Sequence, residues 1–142
     1  MRQIPQAAID LVKSSENCVL KAYPDAVGVM TIGYGHKLKN ENMTEITPSQ
    51  AEDLLHKDLQ VAATGVLRLT RAPLNDNQFA ALIDFVFNLG SGAYQASTLR
   101  QVINRGDYRD APTQFMRWTW AGGRKLPGLV LRRSKEANLF MS

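Results

Sequence analysis

Between residues 79 and 89 the chain reads FAALIDFVFNL, apolar on almost every side of a helix and closed by Gly90. A helix of this kind cannot lie on a surface. It belongs at the centre of a core, with other elements packed around it. Asn75 and Gln78 just ahead of it have the spacing of a capping box, in which each side chain satisfies an amide at the start of the helix. With 142 residues, 44% of them apolar, the chain has the material for that core in one globular domain spanning 1–142.

Ala7, Ala8, Leu11 and Val12 recur at helical spacing behind Pro5, which predicts a first helix over about 5–17. TPSQ at 47–50 repeats the capping-box spacing and opens a long helix with Ala51, Leu54, Leu55, Leu59, Ala62, Val66 and Leu67 on one stripe. Ser97 caps TLRQVINRG, YRDAPTQFMRW predicts a short helix, and Pro127 begins a last one. Turn chemistry at 24–28 between VLKAY and VMTIGYGHKL predicts a hairpin, the only convincing sheet signal. The sum is a mostly helical α+β fold, with a small antiparallel hairpin lobe at about 18–46 and a larger helical lobe formed by the remainder.

Composition limits the functions. Cys18 is the only cysteine, so an intramolecular disulfide cannot form. No run of 18 apolar residues occurs, and the N-terminus has no apolar stretch that reads as a signal peptide, so stable membrane insertion is not expected. A formal charge of +4 and a pI near 9.4 favour polyanionic partners, among them nucleic acid, anionic lipid and acidic wall polymers. The basic residues Arg124, Lys125, Arg132, Arg133 and Lys135 read as a solvated helix face or as a contact for an anionic wall. Binding of nucleic acid is the rival reading, and the absence of a recognition-helix or stacking motif weighs against it.

Two carboxyl groups stand out. Glu16 falls at the expected C-terminal end of the first helix, where the macrodipole disfavours a carboxylate by up to about 1 kcal/mol, so the group tends to hold its proton. Asp25 falls in the following turn, where free backbone amides stabilise an ionised carboxylate. Environments that separate two carboxyl pKa values in this way suit acid-assisted hydrolysis. Period-two alternation then places Thr31, Gly33 and Gly35 on one strand face and Ile32, Tyr34 and His36 on the other. The glycine face is expected to make room for a flat substrate. Asp58 interrupts the apolar stripe of the long helix, and a carboxylate facing a core needs a partner. His36 is the expected one, as a structural pair.

Glu16, eight residues, Asp25, five residues, Thr31 and then IGYGH resembles the catalytic signature of phage-type lysozymes, the endolysins of glycoside hydrolase family 24. The likeness continues through FNLGSGAYQASTL, similar to that family's central helix and the Ser/Thr-rich turn after it, and WTWAGGRKLPGLVLRRSKEANLF. The resemblance implies a lysozyme-like fold with its active-site cleft between the two lobes. It implies hydrolysis of the β-1,4 bond between N-acetylmuramic acid and N-acetylglucosamine in peptidoglycan, with Glu16 as general acid and Asp25 and Thr31 holding the attacking water. Inversion requires the carboxyl groups to stand about 6.5–9.5 Å apart. Gly33, Gly35 and Asn88 are the expected substrate-binding residues, and Arg132 or Arg133 is the arginine beside the acid. No cofactor or metal is implied. The expected life cycle is synthesis in the host cytoplasm as a monomer, passage across the permeabilised membrane by way of a holin or of a signal-anchor such as some family members carry, and action on periplasmic glycan strands, which lyses the host at phage release. A lytic transglycosylase is the enzymatic alternative. A wall-binding homologue without activity is disfavoured by the intact Glu16, Asp25 and Thr31.

Overall fold

The computed structural model describes residues 2–39 and 41–142. Helix α1 runs Gln6–Ser15, and Pro5, expected inside its first turn, is the residue that caps it. Its inner face is Ala8, Leu11 and Val12. At Glu16 the backbone turns extended, while the Glu16 amide still donates to Val12 O at 2.8 Å. Glu16 is therefore the elbow between helix and sheet.

The sheet has three antiparallel strands in the order β1 (Val19–Pro24), β2 (Met30–Gly33) and β3 (His36–Lys37). It exceeds the expected hairpin by one short strand, and residues 44–46 add hydrogen bonds along the outer edge of β1. Beneath it lies a small core of Ile32, Ile46 and Ala51.

Helix α2 (Pro48–Leu69) ties this small core to the large one. Its capping box is complete, with Gln50 N donating to Thr47 Oγ1 and Thr47 N to Gln50 Oε1. Ala51 packs under the sheet, whereas Leu55, Leu59, Ala62 and Val66 enter the helical core. Helix α3 (Asp76–Leu89) is the centre that its composition demands: residues 79–86 are all buried, and α1, α2 and α7 (Pro127–Met141) pack against it. Each fully buried Leu or Phe contributes about 1.5–3 kcal/mol, so this helix carries much of the hydrophobic stabilisation.

The remaining elements complete the large lobe: α4 (Ser91–Ala96), α5 (Thr98–Asn104), a 3-10 turn at Tyr108–Asp110 and α6 (Ala111–Phe115). The segment expected as a Ser/Thr-rich turn after α3 is in fact the one and a half turns of α4. Helix α5 is capped by Ser97, whose hydroxyl accepts from Arg100 N. A second hairpin, β4 (Trp120–Ala121) with β5 (Arg124–Lys125), was not signalled by strand composition. Its turn requires positive φ at Gly122 and Gly123 (59° and 76°), which only glycine adopts freely. Among the described residues no helix is long and apolar enough to cross a membrane.

Candidate active site

The Glu16 carboxyl is held from across the fold. Arg132, on α7, donates through NH1 to Glu16 Oε2 at 2.9 Å, and its Nε and NH2 form a fork onto Asp84 Oδ2 and Oδ1 at 3.0 and 2.8 Å. Asp84 is fully buried on α3 and Arg132 nearly so. Burial opposes ionisation of Asp84, but hydrogen bonds from Glu136 and Arg132 outweigh it and its pKa lies below the ordinary carboxylate value. Asp84 fixes the guanidinium, and the guanidinium fixes Glu16.

Of the two candidate arginines, Arg132 is thus the one beside Glu16. Arg133, next in the chain, points into the core instead, with NH2 donating to Asn88 Oδ1 at 2.6 Å and to Glu136 Oε2 at 3.0 Å. Glu136 is buried, and burial followed by its hydrogen bond to Asp84 pushes its carboxyl well above the usual range. Two members of the expected basic surface cluster are therefore interior groups, and only Arg124, Lys125 and Lys135 remain of it. A bidentate guanidinium fork needs a planar partner at a fixed distance, which a solvated helix face does not provide.

The turn after β1 holds Asp25. Its Oδ1 accepts from the amides of Val27 and Val29, both at 2.9 Å, and its Oδ2 accepts from Lys37 Nζ at 2.7 Å. The Lys37 ammonium and then the Val29 amide hold the Asp25 carboxyl at about 2, so it is ionised at any physiological pH. Thr31 is fully buried, its hydroxyl donating to Val29 O at 2.9 Å, with Lys37 Nζ 3.4 Å away. Lys37 stands directly across the ladder from Thr31. The three side chains form one group at the sheet edge.

The two glycines part company. Gly35 (φ +71°) lies over the Glu16 carboxyl: a Cβ there would come within 2.9 Å of Oε1. Gly33 (φ +66°) faces Ile46 and Ala51, and its expected place on a substrate floor is corrected, because the turn at Tyr34–Gly35 ends the strand and breaks the alternation. Asn88 is engaged with Arg133 beside a separate recess of about 450 Å³ that Arg132, Ser14 and Lys135 also line. A cleft of about 470 Å³ runs between the lobes, bordered by Gly35, His36, Lys37, Asp58, Val61 and Ser91.

His36 reaches Asp58 Oδ2 from Nδ1 at 2.8 Å and Glu41 Oε2 from Nε2 at 2.8 Å. Burial works against its charge, but the hydrogen bonds to Asp58 and Glu41 prevail and raise its pKa. The expected pair joins the sheet to α2, with Glu41 as a third member that the sequence reading did not name. No group of three or more potential metal ligands occurs among the described residues.

Sequence reasoning missed Lys37, Asp84 and Glu136. Asp84 carried the same signal as Asp58, a carboxylate interrupting an apolar helix. Lys37 carried none before the register of β2 and β3 was known.

The family model for phage lysozyme matches residues 13–136. The endolysin of Salmonella phage P22 is 38% identical over 148 aligned positions, covering 100% of both chains. The endolysin of Bacillus phage PZA is 42% identical over 99% of this chain. The chain spans about half the length of that protein and of the endolysin of Bacillus phage B103, at 55% and 54%. Among solved structures, the muramidase domain of SpmX from Asticaccaulis excentricus superposes with a TM-score of 0.90 at 32% identity, covering 100% of this chain and 99% of that one. A variant of P22 lysozyme gives 0.86 at 36%, with complete coverage of both. With the family model matching residues 13–136 and relatives similar over the whole chain in sequence and in fold, the chain belongs to the phage lysozyme family.

Proposed function

We propose that this chain is a muramidase that hydrolyses the β-1,4 bond between N-acetylmuramic acid and N-acetylglucosamine in peptidoglycan glycan strands, with inversion at the anomeric carbon. The observation that carries this reading is the contrast between two carboxyls. Glu16 sits at the helix–sheet elbow with Oε2 tied to Arg132, and its Oε1 lies over Gly35, where no side chain intervenes. Asp25 is held as a carboxylate by two amides and an ammonium.

Glu16 would donate its proton to the glycosidic oxygen as the bond to the leaving sugar breaks. The sugar becomes oxocarbenium-like, and water held by Asp25 and Thr31 adds from the other face, passing its proton to Asp25. A carboxylate with so low a pKa is a weak base. Its contribution is orientation of the water and stabilisation of positive charge on the sugar, with proton transfer completed late.

Residues 1–142 would act as one catalytic domain, and the chain as a monomer. Synthesis in the host cytoplasm, passage to the periplasm through holin-made lesions and cleavage of the wall there would complete host lysis. A nucleic-acid partner is not favoured, because the burial of Arg132 and Arg133 removes two of the charges that made the basic cluster a candidate.

Digestion of purified peptidoglycan tests the reading. Reducing ends at muramic acid are expected, and 1,6-anhydro products would replace it with a transglycosylase. Glu16→Gln keeps the shape of the side chain and cannot donate the proton. General acid catalysis is worth about 10²–10⁴-fold, so a folded variant with more than a tenth of the wild-type rate would remove Glu16 from the role.

A further inference from the structure

Lys37 is the charged residue at the sheet edge that the two-carboxyl mechanism does not use. It lies on β3 directly opposite Thr31, half-exposed, with its ammonium 2.7 Å from Asp25 Oδ2 and 3.4 Å from Thr31 Oγ1. We propose that Lys37 is a positioning residue that locks Asp25 and Thr31 into a single unit for holding the attacking water. This rests on the hydrolytic reading above.

A carboxylate offers about four acceptor sites, two on each oxygen. Both sites of Oδ1 are taken by the Val27 and Val29 amides, and one site of Oδ2 is taken by Lys37. One site on Oδ2 is left, and its direction is fixed by the other three. The Thr31 hydroxyl is similarly committed: its hydrogen goes to Val29 O, and one of its lone pairs accepts from Lys37 Nζ at 3.4 Å, which leaves one. Without the ammonium, Oδ2 has two equivalent open sites and the turn alone sets the carboxylate plane. A water held for in-line attack needs one direction, and an ill-directed nucleophile loses rate without losing substrate affinity.

The charges around Asp25 are few. From β3 comes Lys37; its neighbour His36 is on the opposite face with Ile32 and is committed to Asp58 and Glu41. Among the described residues, the turn contributes the amides of Val27 and Val29. Lys37 is therefore the group that governs how far into acid Asp25 remains charged, and the acidic limb of the rate profile is its second signature.

The test uses the intact chain with Lys37→Met, Lys37→Arg and wild type. The Asp25 carboxyl carbon is titrated by NMR without substrate, and hydrolysis of purified peptidoglycan is followed from about pH 1, below the Asp25 value of about 2, to about pH 7. Lys37→Met should raise the Asp25 midpoint and the acidic limb together by about one unit or more, because an opposite charge within ~4–6 Å lowers an aspartate by about 1–3 units. It should lower kcat about tenfold with KM changed less than about twofold, as misdirected reacting groups do. Lys37→Arg should recover most of both. An unmoved Asp25 midpoint, an unchanged rate profile or a faster Lys37→Met enzyme would each overturn the proposal, the last by making Lys37 an obstruction. If wild type yields no reducing muramic acid ends, the hydrolytic reading fails, while the NMR midpoints still report whether Lys37 holds Asp25.

Discussion

Asp84→Asn probes the buried chain that reaches the acid. Asp84 is 0% exposed and holds Arg132 through two hydrogen bonds of 2.8 and 3.0 Å, one to each carboxylate oxygen. The amide keeps the volume and one acceptor, but it turns an N–H donor toward a guanidinium N–H. One charge-assisted hydrogen bond is lost, about 1.5–3 kcal/mol. The Arg132 cation, 7% exposed at its side chain, then loses its buried countercharge and keeps only the more exposed Glu16. Breaking a buried pair from one side costs about 3–5 kcal/mol in total. For a chain of this size each kcal/mol moves the melting temperature by roughly 3–4 °C, so a drop of about 10–20 °C is expected. Arg132 would also be freed to shift against Glu16, and a displacement near 1 Å at the reacting group costs up to about a hundredfold in rate. The assay is thermal and urea unfolding of Asp84→Asn, Arg132→Met and the double variant, with turbidity loss of wall preparations measured well below each midpoint. The double variant should be less damaged than the two single changes added together, since residues in contact are not additive. A loss under about 1 kcal/mol, or strict additivity, would refute the claim that Asp84 is what fixes Arg132.

Removing the expected glycines should separate geometry from catalysis. Both Gly33→Ala and Gly35→Ala cost about 1–2 kcal/mol because both backbones are left-handed, but only the alanine at 35 meets Glu16, at 2.9 Å, so only it should depress specific activity in the folded fraction. Equal activity loss at 33, where the new methyl meets Ile46 and Ala51 at ordinary distances, would return that residue to the substrate side. The His36 and Asp58 pair is half-buried, so each single change to Asn should cost about 1 kcal/mol after solvent screening, with the double change less than additive. Because its pKa is raised from 6.5 in the fold, charged His36 contributes its full stability below about pH 6.5 and loses it as the pH climbs through the raised value. Melting temperatures of wild type and Asp58→Asn should therefore converge in alkali, and a constant gap would contradict the charge assignment.

Local signals along the chain were strong enough to define the helices and the reaction signature. The capping boxes at Thr47 and Asn75, the cap at Ser97 and the proline starts rest on contacts within four residues, which sequence spacing displays directly. The apolar girth of residues 79–86 made α3 central whatever surrounded it. Asp58 announced a need for a partner by its place on a buried stripe, and His36 answered it 22 residues away. The spacing of Glu16, Asp25 and Thr31 was equally plain as a motif, with Glu16 at the helix–sheet elbow and Asp25 and Thr31 on the first hairpin.

What only the tertiary structure decided is how those groups are held. Arg132 meets Glu16 across 116 residues of sequence and Asp84 across 48, and nothing local distinguishes Arg132 from Arg133, of which one faces the acid and the other the core. Their difference is about 100° of rotation on one helix, the angle between successive residues at 3.6 per turn, and its meaning depends on which helix lies opposite. Lys37 became Asp25's partner because β3 pairs with β2 in one register; a slip of a single residue would have sent its side chain to the other face. Gly33 and Gly35 are two apart, yet the turn at Tyr34–Gly35 sends one to Ile46 and the other to Glu16, because period two holds only while the strand continues. Short-range geometry is written in spacing, whereas the charged groups that hold Glu16 and Asp25 belong to elements whose mutual position is fixed only by the tertiary structure.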